Sequence, residues 1–210
     1  MKHLTTAAVL ILWASVATLA QQERPLSPPG TATAMVGGEW VKDAAGAPVY
    51  QGGKWIEVTY GRPMLRQRTN IFGTGADYGV AVRAGTALWR AGANSTTVLK
   101  TEVPLAFAGK TVPAGEYGVL IDLRSPTQWT LVLSSQPRQA QFDANNKTDL
   151  NGATNYDQKF DVARVPMQVD SKAASKLDQL TIFFCDVTKT SGKLAIAWEN
   201  TVATVEFMVR

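Results

Sequence analysis

An all-β fold, a single antiparallel β-sandwich with a closed β-barrel as the alternative arrangement, is predicted by three observations. From Trp40 onward the chain falls into short runs rich in β-branched and aromatic residues, punctuated by Gly, Pro, Asn and Asp. Within the runs apolar and polar residues alternate, the period of two that buries one face of a strand and wets the other. The connections are short turns, which join antiparallel neighbours, whereas parallel strands need long crossovers that are usually helical. Little helix is expected: the best helical period, SKAASKLDQL, supplies a turn or two at most.

Taken in order, the first twenty residues, MKHLTTAAVLILWASVATLA, read as a signal peptide, with Lys2, an apolar run, and small residues Thr18 and Ala20 at the spacing a signal peptidase reads. The run is short for spanning about 30 Å of hydrocarbon, so cleavage and export to the periplasm or beyond are expected rather than anchorage. Gln21 would then begin the mature chain, with no cysteine there to accept a lipid. Residues 21–38, rich in Pro, Gly, Ala and Thr, suit an exposed, extended lead-in with little structure before Thr31. Residues 39–210 are enough for one substantial domain and tight for two.

Inside that domain, segment 41–53, VKDAAGAPVYQGG, reads as an inserted hairpin with Asp43 to Gly46 at its tip. In KWIEVTY, Ile56, Val58 and Tyr60 are the inward residues, and Glu57 and Thr59 the wet ones. GEYGVLIDL points Tyr117, Val119 and Ile121 inward, and QWTLVLS does the same with Trp129, Leu131 and Leu133. VPAGEY specifies a turn, Pro113 fixing one backbone angle and Gly115 freeing another. Segment 139–158 is polar and turn-rich, a long surface loop of the kind in which sites often sit. LTIFFCDV, apolar on both faces, predicts a central strand covered on two sides. GKLAIAWEN and VATVEFMV complete the set, burying Leu194, Ile196, Trp198, Val205, Phe207 and Val209.

Composition excludes several chemistries. The one histidine, His3, lies in the signal segment, so the mature chain has no imidazole, and Ser-His-Asp and Cys-His hydrolysis are excluded. Cys185 is alone, which rules out an intramolecular disulfide and His/Cys zinc or copper sites, and its apolar run marks it as a buried, inert thiol. No catalytic residue, metal site or cofactor is assigned. The mature charge is mildly positive and spread along the chain, so no nucleic-acid footprint is expected, and no span follows the signal.

A set of motifs carries a resemblance. YGRP (60–63), RQR followed by NIFG (66–73), LWRAGANSTT (88–97), GKTVPAGEYGVL (109–120), QWTLVL (128–133), YDQKFDVARVPM (156–167) and GKLAIAWEN from Gly192 together resemble the bacterial exported family catalogued as domain of unknown function 2911. WR-x-GAN and VPAG-x-Y are its specific elements. The resemblance implies a compact all-β domain of an exported protein and brings no established activity with it. Two departures stand out: Gln67 replaces a usual glycine, with Thr69-Asn70 intervening before IFG, and Val82-Arg83-Ala84-Gly85 stands where a Pro-Tyr-Gly turn is usual.

The candidate ligand site is Arg62, Trp89, Arg90 and Asn94. Arginine offers a rigid fork of donors for a carboxylate, a phosphate or backbone carbonyls, and tryptophan a face on which a sugar or cation stacks. The scaffold reading, which we favour, puts Trp89 in the core, pairs Arg90 with Glu102 or Asp122, and has Asn94 close a turn. An enzyme would have to work with carboxylates, from Glu57, Glu102, Glu116 and Asp122. Asp143, Asn145, Asp149, Asn151 and Asp157 offer hard oxygens for calcium but lack the pattern of an EF-hand, which favours a plain hydrated loop. The expected function is a non-catalytic binding or structural module of the periplasm, envelope or extracellular space, with a small anionic or sugar ligand or an envelope partner. The alternative is a carboxylate-dependent glycan hydrolase. The oligomeric state is left open.

Overall fold

A computed structural model describes residues 25–210, so the segment read as a signal peptide and the start of the lead-in lie outside the described residues. The strands are β1 (Pro29–Val36), β2 (Glu39–Lys42), β3 (Pro48–Gln51), β4 (Lys54–Gly61), β5 (Thr97–Thr101), β6 (Leu105–Phe107) and β7 (Lys110–Val112). They continue with β8 (Gly115–Ser125), β9 (Gln128–Ser134), β10 (Asp161–Asp170), β11 (Leu177–Cys185), β12 (Ser191–Glu199) and β13 (Thr201–Val209). One antiparallel sheet runs β1-β4-β5-β8-β9-β10-β13-β12-β11, with β6 attached to β13 and β7 to β6. It curls until its ends nearly meet, so the all-β antiparallel prediction holds and the sheet takes the barrel arrangement.

Alternation builds the barrel. Ile56, Val58, Leu99, Val119, Leu131 and Val165 turn inward from successive strands into one core. The interior is filled with side chains: Phe72, Tyr78, Trp89, Trp129 and Trp198 pack ring against ring, and Trp129 Nε1–H donates to the Tyr78 hydroxyl at 2.8 Å. The seam between the sheet's ends is closed partly by backbone. Leu65 N–H donates to Asp178 O (2.7 Å), Leu180 N–H to Pro63 O (2.9 Å), and Gly37 N–H to Lys189 O (2.8 Å). Between these points the Tyr60 hydroxyl accepts from Ile182 N–H at 2.8 Å and donates to Ile182 O at 3.4 Å, standing in for a missing strand.

Two elements differ from the sequence reading. Residues 29–36 of the supposed lead-in form β1, paired with β4 along its whole length and burying Ala32, Ala34 and Val36. Its residues are poor strand formers, so pairing with β4, not propensity, makes it a strand. β11 is not central: it ends the sheet path, Leu180 and Ile182 facing the core while Thr181 and Phe183 are half-buried outside. Among the described residues helix is confined to a turn at Val80–Arg83 and two short 3-10 turns.

The segment between β9 and β10 folds back over the outside of the barrel. Leu150, Ala153 and the half-buried Tyr156 pack on Leu88, Leu120 and Val132, a small second core under the loop. Gln136, fully buried, donates from Nε2 to the Thr148 and Asn155 carbonyls, both at 2.7 Å, and fixes the loop's inner edge. β2 and β3 pair as a hairpin continuing β1 and β4. Asp43 Oδ1 accepts from the Ala45 and Ala47 amides at 2.9 and 2.8 Å and shapes its tip. The ribbon changes direction at Gly37-Gly38 and Gly52-Gly53, where Gly37 and Gly52 hold φ of 78° and 72°, a left-handed backbone that side chains rarely adopt.

Candidate functional site

Each of the four residues singled out in the sequence has partners within the protein. Trp89 is only 1% exposed, at the heart of the aromatic core. Arg62 donates from Nε to the Leu180 carbonyl at 3.4 Å, across the seam. Among the described residues Arg90 makes no ion pair: in place of Glu102 or Asp122, its Nη1 donates to the Asn94 carbonyl at 2.6 Å. Its guanidinium covers Gly152, where a Cβ would come within 2.5 Å of Nη1. Burial pulls the Arg90 pKa below the usual arginine value, as expected for a cation removed from water without a counter-charge. Asn94, at φ 63°, closes the turn and donates from Nδ2 to Ser27 O at 3.2 Å. A shallow depression of about 280 Å³ lies nearby, and of the four only Asn94 lines it.

Arg90 therefore clamps a turn to the outer loop. Arg90→Ala should lower the unfolding free energy by about 1–2 kcal/mol, and Arg90→Lys should restore only part of that, because a single ammonium cannot both cover Gly152 and reach the carbonyl. Urea unfolding measures it. Equal or greater stability of the alanine variant would return the residue to the ligand-site reading.

Three of the four carboxylates considered for catalysis are committed. Glu102 Oε2 accepts from Trp55 N–H at 2.9 Å. Glu116 pairs with Lys100 at 3.4 Å and Arg138 at 3.0 Å. Asp122 Oδ2 accepts from Arg124 at 3.0 Å and Arg164 at 2.9 Å. Arg164 also donates to Asp161 Oδ2 and to the Tyr156 hydroxyl, both at 3.0 Å, and the Tyr156 hydroxyl donates to Asp161 Oδ2 at 2.7 Å. Burial, and then the bond to Asp161, raise the Tyr156 phenol well above its usual pKa, so it stays a donor. In the outer loop Asp143 Oδ1 accepts from Asn145 N–H at 2.8 Å, and Asn146 Oδ1 accepts from the Thr148 and Asp149 amides at 3.1 and 2.9 Å. These oxygens order the loop itself, and among the described residues no three His, Cys, Asp or Glu side chains gather as a metal would require. Burial, then Asp186, raises the half-buried Cys185 thiol, which keeps it protonated and unreactive near neutral pH.

The open chemistry is on the outer face of β1, β4 and β5. Because Ile56 points inward, Trp55 and Glu57 must point out. Register sets Trp55 opposite Met35, and Glu57 between Thr33 and Lys100. Thr33, Trp55, Glu57, Lys100 and Glu102 line a groove of about 380 Å³. Trp55 is 47% exposed although its backbone is held from both sides, since its N–H meets the Glu102 carboxylate and its carbonyl accepts from Glu102 N–H at 3.0 Å. The sequence carried one signal for this site: the parity that buries Ile56 leaves a tryptophan on the wet face. The groove holds two carboxylates against one ammonium that already serves Glu116, which suits a neutral, hydroxyl-rich or cationic ligand better than an anion. No helix among the described residues is long and apolar enough to cross a membrane.

A family model described as a protein of unknown function (DUF2911) matches residues 44–207, from the hairpin tip to the last strand. No curated protein and no solved structure matches the chain.

Proposed function

Since the chain belongs to this family of unknown function (DUF2911), we propose its role from its own surface: a non-catalytic, exported module that binds a neutral or amino-bearing sugar in the Trp55 groove. Export rests on the basic start, apolar run and small-residue ending of residues 1–20. Sugar binding rests on one observation, an indole left 47% exposed on a strand whose backbone Glu102 holds on both sides, beside side chains that donate and accept hydrogen bonds. An aromatic face supplies apolar contact for the C–H face of a pyranose, while Thr33, Glu57 and Lys100 meet its hydroxyls. Fixing of the Trp55 backbone before the ligand arrives lowers the ordering cost of binding. The hydrolase reading is disfavoured because Glu102, Glu116 and Asp122 already serve structural partners, leaving Glu57 without a second free carboxylate in the groove.

Titration calorimetry against neutral, amino-bearing and acidic saccharides tests the proposal. A neutral or amino sugar should bind, and Trp55→Ala should weaken it tenfold or more, about 1.4 kcal/mol, with little change in Tm because the ring is largely outside the core. Undiminished binding by Trp55→Ala, or preference for acidic sugars, would sink it. Release of reducing ends by the wild type, lost in Glu57→Gln, would favour the hydrolase.

A further inference from the structure

We propose that the hairpin of β2 and β3 carries a second stacking subsite, Trp40 with Tyr50, so that the surface takes a run of linked sugar units and not a single one. The inference rests on the Trp55 reading and extends it. Trp40 is 72% exposed, the most open of the described aromatic rings apart from Phe142 at the loop. It meets Tyr50, directly opposite in register, edge to face, with centroids 5.5 Å apart and planes at 70°. That arrangement props Trp40 upright and leaves ring surface uncovered, the condition for stacking a ligand on it.

The two aromatic sites are joined. The Tyr50 ring lies over Gly38 and Gly53, and a Cβ built on Gly53 would meet both Met35 Sδ (2.3 Å) and Tyr50 Cε1 (2.9 Å), so these two side chains share the space above that glycine. Met35 stands opposite Trp55. Trp40, Tyr50, Met35 and Trp55 therefore form one strip, and the five-residue step from Tyr50 to Trp55 keeps their Cα atoms within about 17 Å, a span that an oligosaccharide of several units covers. The glycines at the bend make the strip possible, because side chains at Gly38 and Gly53 would occupy the place of the Tyr50 ring. The base of the hairpin is fastened by the Gly37–Lys189 backbone bond, with Glu39 and Lys189 paired at 3.5 Å.

The occupant follows from what lies between the rings. Strand parity puts Lys42 on the hairpin face that carries Trp40 and Tyr50, and the groove beyond adds Thr33, Glu57 and Lys100, a mixture of donors and acceptors around the rings. A protein partner favours an apolar centre depleted of charge, whereas an oligosaccharide alternates flat C–H faces with hydroxyls and fits rings set among polar groups.

Chitobiose and chitohexaose, with cellobiose and cellohexaose as the counterparts without acetamido groups, serve as probes in calorimetry and analytical ultracentrifugation. In at least one pair the hexamer should bind the wild type about tenfold or more tightly than the dimer, because the second contact becomes intramolecular once the first is made. Trp40→Ala should abolish that advantage while leaving dimer affinity unchanged, and Trp40→Phe, which keeps a flat ring, should retain part of it. Trp55→Ala should weaken both lengths. Equal affinity for dimer and hexamer in the wild type, or a length advantage that survives Trp40→Ala, refutes the second subsite and leaves the Trp55 reading standing. Failure of all four probes to bind the wild type refutes both. A concentration-dependent dimer of the protein that Trp40→Ala dissolves overturns the inference by assigning the strip to a second copy of the chain.

Discussion

Replacement of Trp89 by alanine is expected to lower the free energy of unfolding by about 3–5 kcal/mol, the range for removing a large aromatic side chain from a packed core. The ring is 1% exposed and touches three others: Phe72 at 5.6 Å and Trp129 at 5.9 Å edge to face, and Trp198 at 6.4 Å nearly parallel. Its backbone also bonds both ways with Ile121, at 2.9 and 2.7 Å, so the strip of chain that carries it is held and cannot move in to fill the void. Urea unfolding followed by far-ultraviolet circular dichroism measures the change. A loss under about 1 kcal/mol would mean that the barrel interior collapses onto the gap and that the aromatic cluster is not the centre of the core.

The second large effect is expected at Arg164. Its two nitrogens hold Asp122 and Asp161, whose side chains are 10% and 8% exposed, and it also supports the Tyr156 hydroxyl. Arg164→Ala should cost about 3 kcal/mol, because removing one member of a buried charge network leaves the others desolvated and unpaired. Arg124, 71% exposed, is a weak substitute for Asp122. The loss should be felt unevenly. Tyr156 tethers the outer loop, so amide hydrogen exchange at Leu150 and Asn151 should quicken more than exchange in β4 or β8. Uniform change across the molecule would show that the network supports the barrel and not the loop.

The antiparallel strands were legible where alternation was strong, while alternation alone left sandwich and barrel both open. Ile56, Val58 and Tyr60, and Trp129, Leu131 and Leu133, are inward as their spacing predicts, and the core position of Trp89 follows from the scaffold reading. β1 was not legible, because PGTATAMV has the composition of a linker and becomes a strand only when β4 offers a full row of partners. The Arg90 partner was hidden for a related reason. A search for opposite charge favours Glu102 or Asp122, but Ala91 and Asn94 adopt positive φ, 49° and 63°, and the turn so formed brings a backbone carbonyl to the guanidinium instead. The Trp55 groove was half legible: parity places the indole outside, while Thr33, Lys100 and Glu102 join it through contacts between strands distant in sequence.

The Tyr60 hydroxyl at the seam has a kinetic consequence. It joins residues 122 positions apart, in strands that find each other only when most of the chain between them is in place. Closing so long a span is entropically unfavourable until the intervening hairpins have shortened it, so the seam belongs to the late part of folding. Bonds formed after the rate-limiting step leave the refolding rate nearly untouched and slow the reverse reaction instead. One phenolic oxygen thus acts chiefly on the lifetime of the closed barrel, the quantity that governs endurance where unfolding is soon followed by irreversible loss.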